Sequence, residues 1–250
     1  MPMSDRAQPL HDILFSQGFG TRRVCWGLVQ QGLVEIGEER ARCEDPEALM
    51  TTDGLVFWVQ GQRWAYHERA YVMLHKPAGY ECSRKPGAHP GVHTLLPGPL
   101  RERGGSAAAG VQAVGRLDHD TTGLLLLSDD GKFIHRMTSP RHHVPKVYEA
   151  RLKHPLDDRL LQRLSEGVVL DDDPRPVKAH ACRRLDDHLL ELTLTEGKYH
   201  QVKRMVAAAG NRVEGLHRRA IGSLELPPDL APGQWRWLTA EEVDALTRKV

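Results

Sequence analysis

A carboxylate and a guanidinium lie close together at the edge of an apolar stretch of this sequence. Arg116 and Asp118 follow the mostly apolar run 111–114 and precede the leucine run 124–127, whose length indicates a buried strand. Charges so near a core are costly unless they pair with each other or take part in chemistry. An ionised aspartate in this position can act as a nucleophile or a general base, and an internal ion pair is the structural alternative.

Two later stretches combine basic, aromatic and amide side chains. Residues 139–148 read S-P-R-H-H-V-P-K-V-Y, and residues 196–205 read E-G-K-Y-H-Q-V-K-R-M. Tyr148 falls on one face of a predicted strand, where an ordinary core tyrosine is the alternative to a functional one. Lys203 and Arg204 lie off the centre of the buried stripe of a predicted helix. These stretches therefore carry further candidate functional residues.

All three stretches resemble one family. The string G-R-L-D-H-D-T-T-G-L-L-L-L-S-D-D-G at 115–131 resembles the signature of the RsuA/RluB branch of pseudouridine synthases. The stretches 139–148 and 196–205 resemble the same family in the same order, and the second is followed by L-H-R-R-A-I-G. Three ordered matches are far more specific than a single motif. The resemblance implies an enzyme that isomerises a uridine of ribosomal RNA without a cofactor.

The resemblance also implies roles for individual residues. Asp118 corresponds to the catalytic carboxylate, which either attacks C1′ of the nucleotide or removes its C2′ proton, and the sequence leaves both mechanisms open. Lys203 corresponds to the cation that keeps this carboxylate ionised, and Tyr148 to the aromatic residue that stacks on the flipped base. Arg116 is expected to contact RNA around the extruded nucleotide. The further candidates for RNA binding are Arg22, Arg23, Arg141, Lys146, His200, Gln201, Arg204 and Arg218.

Three functions remain open within this resemblance. The motifs S-P-R-H-H and E-G-K-Y-H-Q-V-K-R-M, with the C-terminal L-A-P-G-Q-W-R-W-L-T-A-E-E-V, favour the RsuA type, which modifies 16S ribosomal RNA. A 23S enzyme of the RluB, RluE or RluF type is the first alternative. A non-catalytic rRNA-binding assembly factor is the second. The presence of Asp118, Tyr148 and Lys203 argues against an assembly factor. If catalytic activity had been lost, sequence drift would be expected to replace at least one of these residues.

The sequence predicts two domains. Residues 1–66 contain T-R-R-x-x-x-x-L-V-x-x-G-L-V-E-I-G and resemble a small α/β S4 RNA-binding domain. Arg22 and Arg23 fall in the first turn of a predicted helix, where the macrodipole disfavours cations, so they are either phosphate ligands or solvated surface residues. Residues 67–250 are predicted to form the catalytic domain. Because its strands and helices do not alternate regularly, we expect an α+β fold with a mixed, largely antiparallel sheet and flanking helices.

Composition limits the classes of protein. The chain has 250 residues, 27% charged residues and a net charge of +1, which is ordinary for a soluble globular protein. Four separated cysteines and 14 histidines show no zinc-site or disulfide pattern, so we expect no metal and reduced thiols. With neither a signal peptide nor a long apolar run, we expect a cytoplasmic protein without membrane contact. We expect a monomer whose partner is ribosomal RNA or a pre-ribosomal particle.

The stretch between Ser83 and Gly110 predicts a long loop. It is rich in glycine, proline and basic residues, and no regular helix or strand is predicted there. Its first half is interpreted as facing the substrate. It ends in R-E-R-G-G-S-A-A-A-G, and the glycine- and alanine-rich part of this string is interpreted as a flexible insertion.

Overall fold

The computed structural model describes residues 7–104 and 110–248. Contacts within these residues divide the chain into two compact units. The N-terminal unit comprises the described residues up to Ala70 together with those from Leu96 to Gln112, and the second unit comprises Tyr71–Leu95 and the described residues from Ala113 onward. The second unit therefore contains all three stretches that the sequence singled out as functional.

The N-terminal unit packs helices against a small antiparallel sheet. Its elements are β1 Gln8–Pro9, α1 Leu10–Ser16, α2 Arg22–Gln30, β2 Val34–Ile36, β3 Ala41–Arg42, β4 Leu49–Met50, β5 Val56–Val59, β6 Gln62–Ala65 and α3 Gly98–Glu102. The sheet runs in the order β3-β2-β5-β6, and β1 pairs with β4. Leu14, Val29 and Phe57 meet in its core. Threonine is a preferred residue at a helix N-cap, and the hydroxyl of Thr21 accepts a hydrogen bond from the Val24 N–H and caps α2.

Residues 96–112 pack within the N-terminal unit, whereas the sequence assigned everything after residue 66 to one later domain. Leu100 is buried, and Arg103 donates hydrogen bonds to Gln17 Oε1 at 2.8 Å and to the carbonyl oxygen of His67. Backbone atoms of Pro99 and Arg103 approach Gly18 so closely that a Cβ would not fit there. These contacts join positions that are far apart in the chain. The predicted domain boundary near residue 66 was based on local composition, which carries no information about such contacts.

The long loop predicted between Ser83 and Gly110 contains regular structure. Val92–Leu95 forms a 3-10 turn and Gly98–Glu102 forms α3, so the expectation of no regular element was wrong. Tertiary burial of Val92 and Leu100 stabilises these short segments, whose own sequence gives them little helical preference. The proposed flexible insertion falls largely on residues 105–109, which lie outside the described residues.

The second unit is built on a large sheet. Its elements are β7 Tyr71–Lys76, β8 Gln112–Ala113 at the boundary between units, β9 Thr122–Ser128, α4 Gly131–Thr138, β10 Lys146–Leu152, α5 Asp158–Glu166, β11 Val168–Leu170, β12 Asp173–Val177, β13 Ala181–Arg184, β14 Leu189–Leu194, α6 Gln201–Ala208, β15 Val213–Ile221, β16 Leu224–Glu225, β17 Trp235–Trp237 and α7 Ala240–Thr247. The main sheet runs in the order β13-β14-β10-β15-β9-β7-β17. Neighbours along it are antiparallel except β15 and β9, which are parallel. The predicted α+β fold with a mixed, largely antiparallel sheet is confirmed.

Local sequence signals set several elements of this unit. Tyr148, Ala150 and Leu152 are buried on one face of β10, which confirms the predicted alternation. The spacing of Thr239 and Glu242 predicts a capping box, and the Thr239 hydroxyl and the Glu242 carboxylate form it at the start of α7. Across residues 7–104 and 110–248, every helix is too short or too polar to cross a membrane.

Candidate active site

A cleft of about 590 Å³ opens in the second unit, and residues from all three functional stretches line it. The sheet explains how they meet. Tyr148 on β10 lies opposite Arg218 on β15, and Arg218 lies opposite Gly123 on β9. At Gly123, where φ is +109°, a Cβ would collide with the backbone of Arg218, so only glycine permits this approach. The loop that carries Asp118 ends at this crowded point and is thereby fixed beside Tyr148.

The Asp118 carboxylate contacts two basic side chains. Lys203 Nζ lies 3.1 Å from its Oδ2, and His200 Nε2 lies 3.2 Å from its Oδ1. Both partners come from α6 or the residue before it, 82 or more positions along the chain. The side chain of Asp118 is 25% exposed, so a substrate in the cleft can reach it. The structure therefore brings together Asp118 and Lys203, the pair that the resemblance implied.

Lys203 connects two carboxylates. Its Nζ donates to Asp120 Oδ1 at 2.7 Å and to Oδ2 at 2.9 Å, in addition to its contact with Asp118. Burial opposes the charge on Lys203, but the hydrogen bonds to Asp120 and Asp118 outweigh it and raise the pKa of the ammonium group. Burial also opposes the charge on Asp120, yet its bond to Lys203 lowers the pKa of that carboxyl. The ammonium is therefore a stable positive charge beside the catalytic candidate.

Lys76 holds the loop of Asp118 in place, a role that the sequence analysis did not assign. Its side chain is fully buried at the end of β7, and Nζ donates to the carbonyl oxygens of Thr121 at 2.7 Å, Pro77 at 3.1 Å and His119 at 3.2 Å. Burial lowers the pKa of this ammonium group. The sequence signal was a lysine that ends a strongly apolar strand, in the K-P-A-G turn at 76–79.

Two further cations border the cleft without a carboxylate partner among the described residues. Arg218 is 2% exposed; its Nε donates to the Leu124 carbonyl oxygen at 2.8 Å, and its Nη2 has no hydrogen-bond partner there. Lys146 Nζ donates to the carbonyl oxygen of Val144 at 3.0 Å. Burial, with a smaller contribution from Arg218, lowers the pKa of Lys146 to about 8. The interior of the cleft therefore carries positive charge that suits an anionic ligand.

Comparison with known proteins agrees with this geometry. Residues 70–208, more than half of the chain, match the family model described as RNA pseudouridylate synthase. The chain belongs to this family. The match covers Asp118 and Tyr148, which line the cleft, and Lys203, which contacts Asp118.

Relatives of this pseudouridylate synthase align with most of its length. A protein named ribosomal small subunit pseudouridine synthase A from Vibrio vulnificus is 38% identical over 229 residues, covering 90% of this chain and 94% of that protein. The protein of the same name from Escherichia coli K12 is 45% identical over 177 residues, covering 71% and 74%. A crystal structure of a pseudouridylate synthase, 34% identical, covers 96% of this chain and all of that one, with a TM-score of 0.66. The RsuA-type resemblance of the sequence is thereby confirmed.

Among the other residues singled out in this synthase, Arg116 lies in the cleft wall with an exposed side chain. Within the part of the chain that the structure describes, it has no ion pair with Asp118, so the structural alternative for these two residues was wrong. Asp118 is instead surrounded by His200 and Lys203, which come from a distant part of the chain. His200 was predicted only to bind RNA, whereas the structure places its imidazole in contact with the Asp118 carboxylate.

Three more of the predicted RNA-binding residues are Gln201, Arg204 and Arg141, and each has different contacts. Gln201 is buried and fixes the loop before α6, because its Oε1 accepts from the Lys198 N–H at 2.8 Å and its Nε2 donates to Glu196 Oε1 at 2.7 Å. Arg204 pairs with Asp172, and Arg141 is exposed but does not line the cleft. Gln201 and Arg204 are therefore occupied by protein partners.

Arg22 and Arg23 belong to the N-terminal unit and differ in their contacts. Arg22 forms an ion pair with Asp12, and its guanidinium carbon lies 4.4 Å from the centre of the Phe15 ring. Arg23 is exposed and has no partner among the described residues. Of the two arginines at this helix start, Arg23 is thus the one with a free guanidinium.

Proposed function

We propose that this pseudouridine synthase isomerises one specific uridine of 16S ribosomal RNA, either in the free RNA or in a pre-ribosomal particle. The observation that carries the proposal is the Asp118 carboxylate, held by Lys203 and His200 at the wall of the cleft that Tyr148 lines. The choice of 16S RNA is supported by the name that relatives such as the Vibrio vulnificus protein bear. With ribosomal RNA as its substrate, we expect the protein to lie in the cytoplasm and to act as a monomer.

The reaction breaks the N1–C1′ bond of the uridine and joins C5 to C1′. It needs a carboxylate beside the sugar, which either bonds to C1′ as the uracil leaves or accepts the C2′ proton. Asp118 fits both steps because it is ionisable, reachable from the cleft and 3.1 Å from a permanent cation. The uracil then turns, and as C5 bonds to C1′ the carboxylate either leaves C1′ or returns the proton to C2′. Finally C5 loses its proton and N1 gains one.

Tyr148 and Arg218 are placed to bind the extruded nucleotide. Tyr148 is 9% exposed and lines the cleft, so its ring can stack on the uracil and its hydroxyl oxygen can take part in removal of the C5 proton. The buried charge of Arg218, opposite Tyr148 on the neighbouring strand, favours anionic groups in the same space. Arg116 at the cleft wall supplies an exposed guanidinium for RNA phosphate.

Lys146 gives a pH-dependent prediction. If its ammonium binds RNA phosphate, the affinity for RNA should fall as the pH rises through about 8, because only the protonated form attracts the phosphate. Titrations of RNA binding between pH 7 and pH 8.8 measure this fall. In Lys146→Arg the group stays charged over the whole range, so the pH-dependent loss should disappear. An identical pH dependence in both proteins would contradict the assignment.

The N-terminal unit is proposed to be an S4-like RNA-binding domain, and its arginines test this. Arg23→Ala should lower the slope of log affinity against log salt by about one, since each phosphate contact releases close to one counterion. Arg22→Ala is the matched control and should change the slope less, because Asp12 already neutralises that guanidinium. Equal slopes in wild type and Arg23→Ala would remove Arg23 from the RNA interface.

The substrate is tested by mapping pseudouridine in both large ribosomal RNAs from cells with and without the gene. Loss of a single 16S site, restored by wild type but not by Asp118→Asn, is the expected result. Loss of a 23S site instead would favour an enzyme of the RluB, RluE or RluF type. If no site changes, and purified protein forms no pseudouridine in RNA or in particles, the assembly-factor alternative is favoured.

A further inference from the structure

Tyr199 is an exposed aromatic residue at the active-site cleft. Its side chain lines the cleft and is 74% exposed, the largest exposed fraction among the large apolar and aromatic side chains of the described residues. Most tyrosines of folded domains bury much of the ring, because the ring is largely apolar. None of the roles proposed above uses this side chain, and the sequence analysis did not single it out.

Two contacts hold Tyr199 next to His200, which itself contacts the Asp118 carboxylate. Its ring stacks on the imidazole of His200, with 3.8 Å between centroids and 20° between planes. His200 has φ +48°, a left-handed conformation that a residue with a Cβ rarely adopts, and its Nε2 contacts Asp118. The carbonyl oxygen of Tyr199 also accepts a hydrogen bond from Arg204 Nη1 at 3.2 Å. One face of the ring is thus covered by His200, and the other is open.

The surroundings of Tyr199 favour stacking over phosphate binding. The lysines and arginine nearest to it in sequence are already paired: Lys198 with Asp173 at 2.5 Å, Lys203 with Asp118 and Asp120, and Arg204 with Asp172. What Tyr199 offers is a flat aromatic face next to a stacked imidazole. Every nucleobase has a complementary π-face, and single-stranded RNA is commonly bound by stacking on such side chains.

We infer that the outer face of Tyr199 stacks on an unpaired nucleobase of the substrate RNA, adjacent to the uridine that enters the cleft. The inference rests on the proposed function. Extrusion of the uridine deprives a neighbouring base of its stacking partner, and Tyr199 replaces that partner. Because the same ring covers His200, binding of this base also steadies the imidazole against Asp118.

The test uses the full-length protein and a fragment of 16S RNA that spans the modified uridine, together with versions in which one flanking nucleotide at a time is abasic. Tyr199→Ala should raise Kd and KM for the intact fragment by about tenfold, with a smaller effect on kcat. Tyr199→Phe keeps the ring and should stay within about twofold of wild type. Tyr199→Leu keeps apolar bulk without a ring and should resemble the alanine variant. Leu185→Ala, which removes an exposed side chain away from the cleft, is the control for nonspecific effects.

The abasic series identifies the base. At one flanking position, loss of the base should weaken RNA binding by the wild-type protein about as much as the Tyr199→Ala substitution does. The same abasic RNA should bind the Tyr199→Ala variant no more weakly than the intact fragment does. Wild-type affinity in the leucine variant, or losses that add at every position, would overturn the inference. Pseudouridine formation by wild type in the intact fragment tests the proposed function separately. If the substrate proves to be 23S RNA, the same series on that RNA still decides the role of Tyr199.

Discussion

Asp118→Asn should abolish pseudouridine formation, lowering turnover by about four orders of magnitude or more, while the protein stays folded and binds RNA. Asparagine keeps the size and much of the hydrogen bonding of the side chain but removes the charge that, in the proposed reaction, attacks C1′ or takes the C2′ proton. Folding should survive, because removing a partly desolvated charge offsets part of the lost contact with Lys203. The measurement is tritium release from RNA labelled at C5 of uridine.

Asp120→Asn is the matched control for this variant. It also removes a carboxylate that contacts Lys203, but its side chain is 54% exposed and it does not line the cleft. We expect its activity to fall by about tenfold or less. Circular dichroism and an RNA-binding titration establish that both variants are folded and bind. Substantial tritium release by a folded Asp118→Asn protein would move the catalytic role to another residue.

Lys203→Met should give the second largest loss, about a hundredfold in kcat, and should move the acidic limb of the pH–rate profile to higher pH. Lys203 is the cation shared by Asp118 and Asp120, and its hydrogen bond lowers the pKa of Asp120. Without this cation the two negative charges repel each other and Asp120 loses the hydrogen bond that lowers its pKa, so the active arrangement of charges forms only at higher pH. The measurement is kcat between pH 5 and pH 8.

Two companion variants separate charge from packing. Lys203→Arg keeps the positive charge and should leave the acidic limb near its wild-type position. The double variant Lys203→Met, Asp120→Asn removes the cation together with one of the two carboxylates, and should recover part of the activity lost in Lys203→Met. An acidic limb that does not move in Lys203→Met, or an arginine variant as damaged as the methionine one, would show that Lys203 does not act through its charge.

Local patterns in the sequence were sufficient for much of the second unit. The leucine run around 124–127 predicts the buried strand β9, the alternation before Leu152 predicts the buried face of β10, and Thr239 with Glu242 predicts the start of α7. These signals depend on residues within a few positions of one another, so they can be recognised without knowing the fold. Asp118 was identified in the same way, since its significance lies in one contiguous motif. The catalytic and RNA-binding roles of the site residues remain predictions.

Contacts between distant positions were decided by the tertiary structure alone. Lys203 and Asp120 are 83 residues apart, and only the packing of α6 beside the Asp118 loop shows that one ammonium serves two carboxylates. The position of His200 on Asp118, the burial of Lys76 and the inclusion of residues 96–112 in the N-terminal unit are of the same kind. The periodicity of apolar residues in the sequence indicates which side of a helix or strand is buried. The partners of a side chain from a distant part of the chain depend on which helices and strands the folded sheet brings together.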